Sequence, residues 1–212
     1  MAERDNYEIC RTDWQKRFVS MDNRALMKKL PFLKQEKDSL LVPYFNHFYL
    51  ADTTNGLIHP VDMAPPLTLY DELNIYTLFW FVKDDAKLQY NFVPFYQLQS
   101  ASPFAAAFEK GTLQPLAAMF DGKEAFLQQG LSRMGGSSVS DRHTAFEVPV
   151  FPCMPVQVLF WDGDDEFPAQ ANLLFDRSAT DFIHVESVVS IASSLLHRLS
   201  AESGISLSRS AF

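Results

Sequence analysis

Cysteine is almost missing from this chain: Cys10 and Cys153 are the only two in 212 residues. They lie far apart, with no second thiol near either, which excludes a disulfide framework and the paired spacing of a zinc or iron–sulfur site and fits a reducing cytoplasm. Long hydrophobic runs are missing too. The longest strongly apolar stretch, Leu78 to Val82, is far too short to cross a bilayer. The opening Met-Ala-Glu-Arg-Asp lacks the apolar segment of a secretory signal, so a soluble protein without a membrane partner is expected. Basic charge is scarce: 18 Lys and Arg against 26 Asp and Glu leave a net charge of -8. That balance opposes attraction to a phosphate backbone, so nucleic acid is not an expected partner. The common enzyme signatures are absent as well, with no Gly-x-Ser-x-Gly elbow, no His-Glu-x-x-His pair and no dinucleotide fingerprint.

What the chain does have is apolar bulk. Hydrophobic residues make up 47% and aromatics 14%, with nineteen Phe, enough for one sizeable core. The expectation is one domain over residues 1–204, followed by a flexible Ser-rich tail over 205–212. Ile9, Cys10, Trp14 and Phe18 recur at helical spacing, and Asp22 can cap a second short helix that ends before Pro31. The runs Leu40 to Phe45, Phe48 to Leu50 and Leu57 to His59 read as a small meander with turns at Asn46-His47 and Asn55-Gly56. Pro43, lacking an amide hydrogen, places its strand at an edge or in a bulge.

After Pro65-Pro66, Thr68-Leu69-Tyr70-Asp71 starts a helix to about Val82 with a capping-box-like pattern. A strand over Leu88 to Phe95 follows, then a helix with Ser102 as cap, Pro103 in the first turn and Gly111 as its stop. Thr112 begins another, and Lys123 to Met134 a third, ending at Gly135-Gly136. The polar stretch Ser137 to Thr144 reads as a mobile loop. Strands at Phe146 to Phe151, Val156 to Trp161 and Ala171 to Phe175 precede a last helix whose Val185, Val188, Val189, Ala192, Leu195, Leu196 and Leu199 form one apolar face ended by Gly204. Helices grouped apart from consecutive strands give an α+β fold, a mainly antiparallel sheet with N-terminal, central and C-terminal helices packed on it.

The strings PVQVLFWDGDDEFP at 155–168 and LFDRSA at 174–179 are similar to the signature of an uncharacterised family, a domain of unknown function found in bacteria and archaea, many of them anaerobes. The meander, the helix after Pro66 and the Gly135-Gly136 turn resemble the same family. Some relatives carry a cysteine-rich module like that of corrinoid and iron–sulfur proteins, which implies a setting in anaerobic metabolism. This chain lacks those cysteines, so no cluster is carried over, and the resemblance implies a fold but no activity.

Two constellations offer chemistry. Asp162, Asp164, Asp165 and Glu166 are hard oxygen donors suited to a divalent cation, although a solvated hairpin turn with Asp-Gly chemistry accounts for them without any function. Asp176 can orient Arg177, whose guanidinium can hold an anion beside the Ser178 hydroxyl, and His184 can move a proton near neutral pH. The competing assignment makes Asp176 and Ser178 caps, Arg177 an internal tie and His184 a helix start. His47 between aromatic neighbours, Cys153, and the amides of Gly135-Gly136-Ser137-Ser138 are lesser candidates. The residues specify no reaction, cofactor or oligomeric state. The leading expectation is a cytoplasmic small-ligand-binding or accessory protein, with Arg177 and Ser178 receiving a small anion or a protein partner. The alternatives are a hydrolase or transferase using Asp176 and His184 with a divalent ion, and a structural interaction subunit.

Overall fold

Residues 2–207 are described by a computed structural model of the chain. Two helices open it, α1 (Ala2–Val19) and α2 (Asn23–Lys29), and the Asp22 carboxylate caps the second by accepting from the amides of Arg24 and Ala25. A four-stranded antiparallel meander follows in the order β1 (Lys34–Glu36), β2 (Ser39–Tyr44), β3 (His47–Asp52) and β4 (Ile58–Pro60). Helix α3 (Leu69–Phe81) starts in a full capping box, in which Asp71 donates its amide to Thr68 while its carboxylate accepts from the Thr68 amide. Then come β5 (Phe92–Pro94), α4 (Ala105–Phe108), α5 (Gln114–Phe120) and α6 (Glu124–Arg133). The chain ends in β6 (Ser137–Ser138), β7 (Thr144–Phe151), β8 (Met154–Trp161), β9 (Gln170–Asp176), α7 (Ala179–Phe182) and α8 (Val185–Ser203). The later strands form a second antiparallel sheet in the order β5-β9-β8-β7-β6.

The α+β class stands, but the strands make two sheets rather than one. They meet where the β2–β3 turn touches β7: the Phe45 amide donates to the Val150 carbonyl at 2.9 Å, and the Tyr44 ring lies 4.8 Å from that of Phe151. One continuous core runs from Phe18 to Leu199 and draws on both sheets, with α3 and α8 at its centre.

Several local expectations are corrected. The β2–β3 turn is Phe45-Asn46, both with positive φ (47° and 60°), as the two-residue turn that matches strand twist requires. His47 is therefore a strand residue, paired with Tyr44. Strand β2 is interior, yet Pro43 is tolerated because β1 pairs only with Ser39 to Leu41 and leaves no ladder bond there to miss. The strand expected over Leu88 to Phe95 shrinks to Phe92–Pro94. Gly111 does not stop its helix. It sits in a π-helical turn, Glu109–Leu113, that joins α4 to α5 directly ahead of Pro115; a ring without an amide hydrogen disturbs the α ladder there. The expected loop at its start is tied down by the Ser137–Ser138 pairing with Phe146 and Glu147. The expected tail is also held at its beginning: the Ser200 hydroxyl donates to the Ile205 carbonyl at 2.6 Å and accepts from the Leu207 amide at 3.2 Å, and both side chains pack on the core. Residues 208–212 lie outside the described ones.

Candidate functional site

The residues singled out from the sequence are spread among structural duties. Asp176 is buried, 2% exposed. One oxygen accepts from the amides of Gln89 and Ser178 and from the Ser178 hydroxyl, the other from the Asn91 amide. It staples the segment before β5 to the end of β9. Burial raises its carboxyl, but the Ser178 hydroxyl and the three amides outweigh this and hold it below the ordinary range. Ser178 is buried in the same knot. Arg177 is exposed; its amide donates to the Asn91 carbonyl at 2.8 Å, and its side chain has no partner among the described residues. His184 caps α8, its Nδ1 accepting from the Glu186 amide at 3.3 Å, and its ring lies 5.4 Å from that of Phe81.

The acidic turn behaves as a turn. Asp162 accepts from the amides of Gly122 and Gly163, and Asp164 from those of Glu166 and Phe167. Among the described residues no three His, Cys, Asp or Glu side chains converge as metal ligands, so Asp162, Asp164, Asp165 and Glu166 do not form a ligand cage. Asp162, Asp176, Arg177 and His184 line neither of the two clefts described next.

The larger cleft, about 770 Å³, opens between the start of α3, the outer face of α8 and the β2–β3 turn. Its size falls in the range of small-molecule sites. Helix α8 supplies Glu186, Ser190, Ser194, Arg198 and Glu202, one residue every four, all facing the cleft. Such an i+4 row follows one ridge of a helix, and it lies opposite the apolar face that fills the core. Phe45, Pro65, Pro66, Met134 and Val189 give the cleft its apolar walls.

At its floor is a buried charge pair. Arg198 Nη2 lies 3.5 Å from Asp71 Oδ2, with side chains only 14% and 6% exposed. Oδ2 also accepts from the Thr68 amide and hydroxyl, at 3.1 and 2.8 Å, and Oδ1 from the Tyr44 hydroxyl at 2.9 Å. Asn74 extends the network, donating to Tyr44 at 3.1 Å and to the Ser194 hydroxyl at 3.5 Å. The guanidinium lies over the Tyr44 and Phe45 rings, at 5.1 and 4.9 Å from their centroids, a desolvated cation–π arrangement worth up to about 2 kcal/mol. Arg198 Nε and the Ser190 hydroxyl are buried without a hydrogen-bond partner. Burial, reinforced by the Asp71 charge, pushes the Tyr44 hydroxyl well above its ordinary range. Burial and then the Arg198 charge lower His47, against a smaller opposing pull from Glu202. The His47 ring therefore favours its neutral form, and among the described residues the permanently charged groups of the cleft are three carboxylates and one guanidinium.

In the sequence Asp71 is marked only as part of a helix cap, and nothing in the adjacent residues marks Arg198. The available signal was the row of five polar residues at four-residue spacing on α8, overshadowed by the helix's apolar stripe. A smaller polar cleft of about 370 Å³ lies beside β6 and β7. There the Thr144 hydroxyl donates to Glu124 and accepts from Gln128. Elsewhere, Trp14, Trp80 and Phe81 form a half-exposed aromatic cluster across α1 and α3, with Arg17 over both tryptophan rings.

A family profile described as a domain of unknown function matches residues 22–198, which takes in the meander, α3, both clefts' main walls and Arg198. No curated protein and no solved structure matches the chain. No helix among the described residues is long and apolar enough to cross a membrane.

Proposed function

The chain belongs to the DUF3786 family, a domain of unknown function, and for this member we propose small-molecule binding, with the ligand held in the cleft between α3 and α8. The observation that carries the reading is the prebuilt polar floor. Asp71, Arg198, Tyr44, Asn74 and Ser194 are fixed by one another beneath mainly apolar walls, so binding orders few side chains. Arg177 is exposed and its side chain has no partner among the described residues, so the anchor in this reading is Arg198. A cytoplasmic setting and a part in anaerobic metabolism belong to the same proposal, supported by two free cysteines and by the segment over 155–168.

Filling the cleft tests this. Ser193 lies on its α8 wall and is half-buried, so Ser193→Trp places a large ring in the void without touching the floor network. A library of small amphipathic compounds should yield binders that stabilise the unaltered protein by about 2.7 kcal/mol at a hundredfold excess over Kd. The same compounds should leave the melting temperature of a folded Ser193→Trp variant unchanged. Equal stabilisation of both proteins would place the binders elsewhere and remove the cleft from the account.

A further inference from the structure

The charges around the cleft specify what it takes, and this step rests on the binding function just proposed. Three carboxylates line the cleft against one guanidinium, and that guanidinium is already matched by Asp71. What remains is Glu186 and Glu202. Among the described residues no Lys or Arg pairs with either, and Glu186 meets only the His184 ring, at 3.9 Å. The two stand at opposite ends of the α8 row, about 24 Å apart at 1.5 Å per residue, so one compact charged group can meet only one of them.

Glu202 is the better placed. The Glu186 side chain is 67% exposed, and water screens an exposed charge to little net worth. Glu202 is half-buried one turn beyond Arg198, in a cleft it shares with Met134, Phe45 and His47. Its backbone carbonyl accepts from Arg133 at 2.7 Å, which fixes the helix there. A carboxylate in a partly desolvated, apolar-walled cleft attracts cations more strongly than one in open water.

We infer that the cleft binds an amphipathic amine, its ammonium paired with the Glu202 carboxylate and its hydrocarbon body against Phe45, Met134 and Val189. A carboxylate ligand would have to approach Arg198 past Glu202 and beside Asp71. A neutral ligand would fit the walls but leave Glu202 without a partner.

Three probes on one skeleton separate these cases: 4-phenylbutylamine, 4-phenylbutanol and 4-phenylbutyrate, titrated calorimetrically into the full chain at low and high salt. The amine should bind about tenfold more tightly than the alcohol, with butyrate the weakest, and added salt should narrow the gap. Glu202→Gln should bring the amine down to the alcohol's affinity and leave the alcohol unchanged. Since the Glu202 side chain holds no hydrogen bond among the described residues, the variant keeps the fold, and unchanged alcohol binding verifies it. Butyrate binding best, or an amine advantage that survives Glu202→Gln, overturns the assignment while the binding function stands. Failure of all three probes overturns both.

Discussion

At the scale of single residues, the two buried carboxylates have opposite company. Asp176 is held by neutral donors alone, three backbone amides and one hydroxyl, whereas Asp71 has a guanidinium among its partners. Asp176→Asn replaces an acceptor oxygen with an amide group facing donors, and a buried donor left without an acceptor costs about 1–3 kcal/mol. Because the folded carboxyl lies below its unfolded value, its contribution is fully present above about pH 4, the unfolded aspartate value, and is lost as pH falls through the folded one. Urea melts of the two proteins should therefore differ near neutrality and converge in acid. A gap that stays constant with pH would show that the bonds, not the charge, carry the effect. Arg198→Met leaves Asp71 buried without its counter-charge and should cost about 3–5 kcal/mol in the same measurement.

At the scale of elements, helix ends and turns matter more than helix middles. Gly135 and Gly204 both follow helices at positive φ, 77° and 72°, where a side chain costs about 1 kcal/mol or more. They differ in surroundings. A Cβ at Gly204 meets nothing within 4 Å, while one at Gly135 comes within 2.6 Å of the Asn46 side chain. Gly204→Ala should thus lose about 1 kcal/mol by chemical denaturation, and Gly135→Ala distinctly more. Only Gly135→Ala should also weaken ligand binding, because Asn46 lies between the cleft residues Phe45 and His47. Equal losses would mean that Asn46 moves aside freely.

Elements are also where the sequence was most and least legible. The capping box at Thr68, the Asp22 cap, the three long strands of the second sheet and the Gly204 stop were all readable, because each is decided by neighbours a few residues apart. The π turn was not: Gly111 looks like a stop until Pro115 and the packing around it are considered together. Pro43 points to an edge because it lacks an amide hydrogen, and no local pattern reveals that β1 ends before reaching it and so leaves an interior strand free to carry a proline. The candidate site failed for the same reason at longer range. Asp176-Arg177-Ser178 is conspicuous as a string, but only the fold decides that Asp176 turns inward to backbone amides and Arg177 outward to water. Arg198 and Asp71 have nothing in common until α8 is laid across the start of α3.

At the scale of the whole molecule, the two sheets share one core, so they should unfold together in a single calorimetric transition whose measured and van't Hoff enthalpies agree. The cysteines provide a second check. Cys153 is 8% exposed within that core, and burial pushes its thiol well above the ordinary range, whereas Cys10 is only partly covered. A thiol reagent should label Cys10 promptly in native protein and Cys153 only at the rate of global opening. Prompt labelling of both would point to a local opening of the β7–β8 connection.

The Asp71–Arg198 pair finally has a consequence in time. During synthesis Tyr44, Asp71 and Asn74 leave the ribosome long before α8, so for that interval a carboxylate destined for burial has no cation to meet. The α3 end of the network must stay hydrated, and the cleft stays unmade, until Arg198 emerges. Nascent chains arrested before α8 should then remain open to proteases around α3, and those released after it should become resistant and gain ligand binding together.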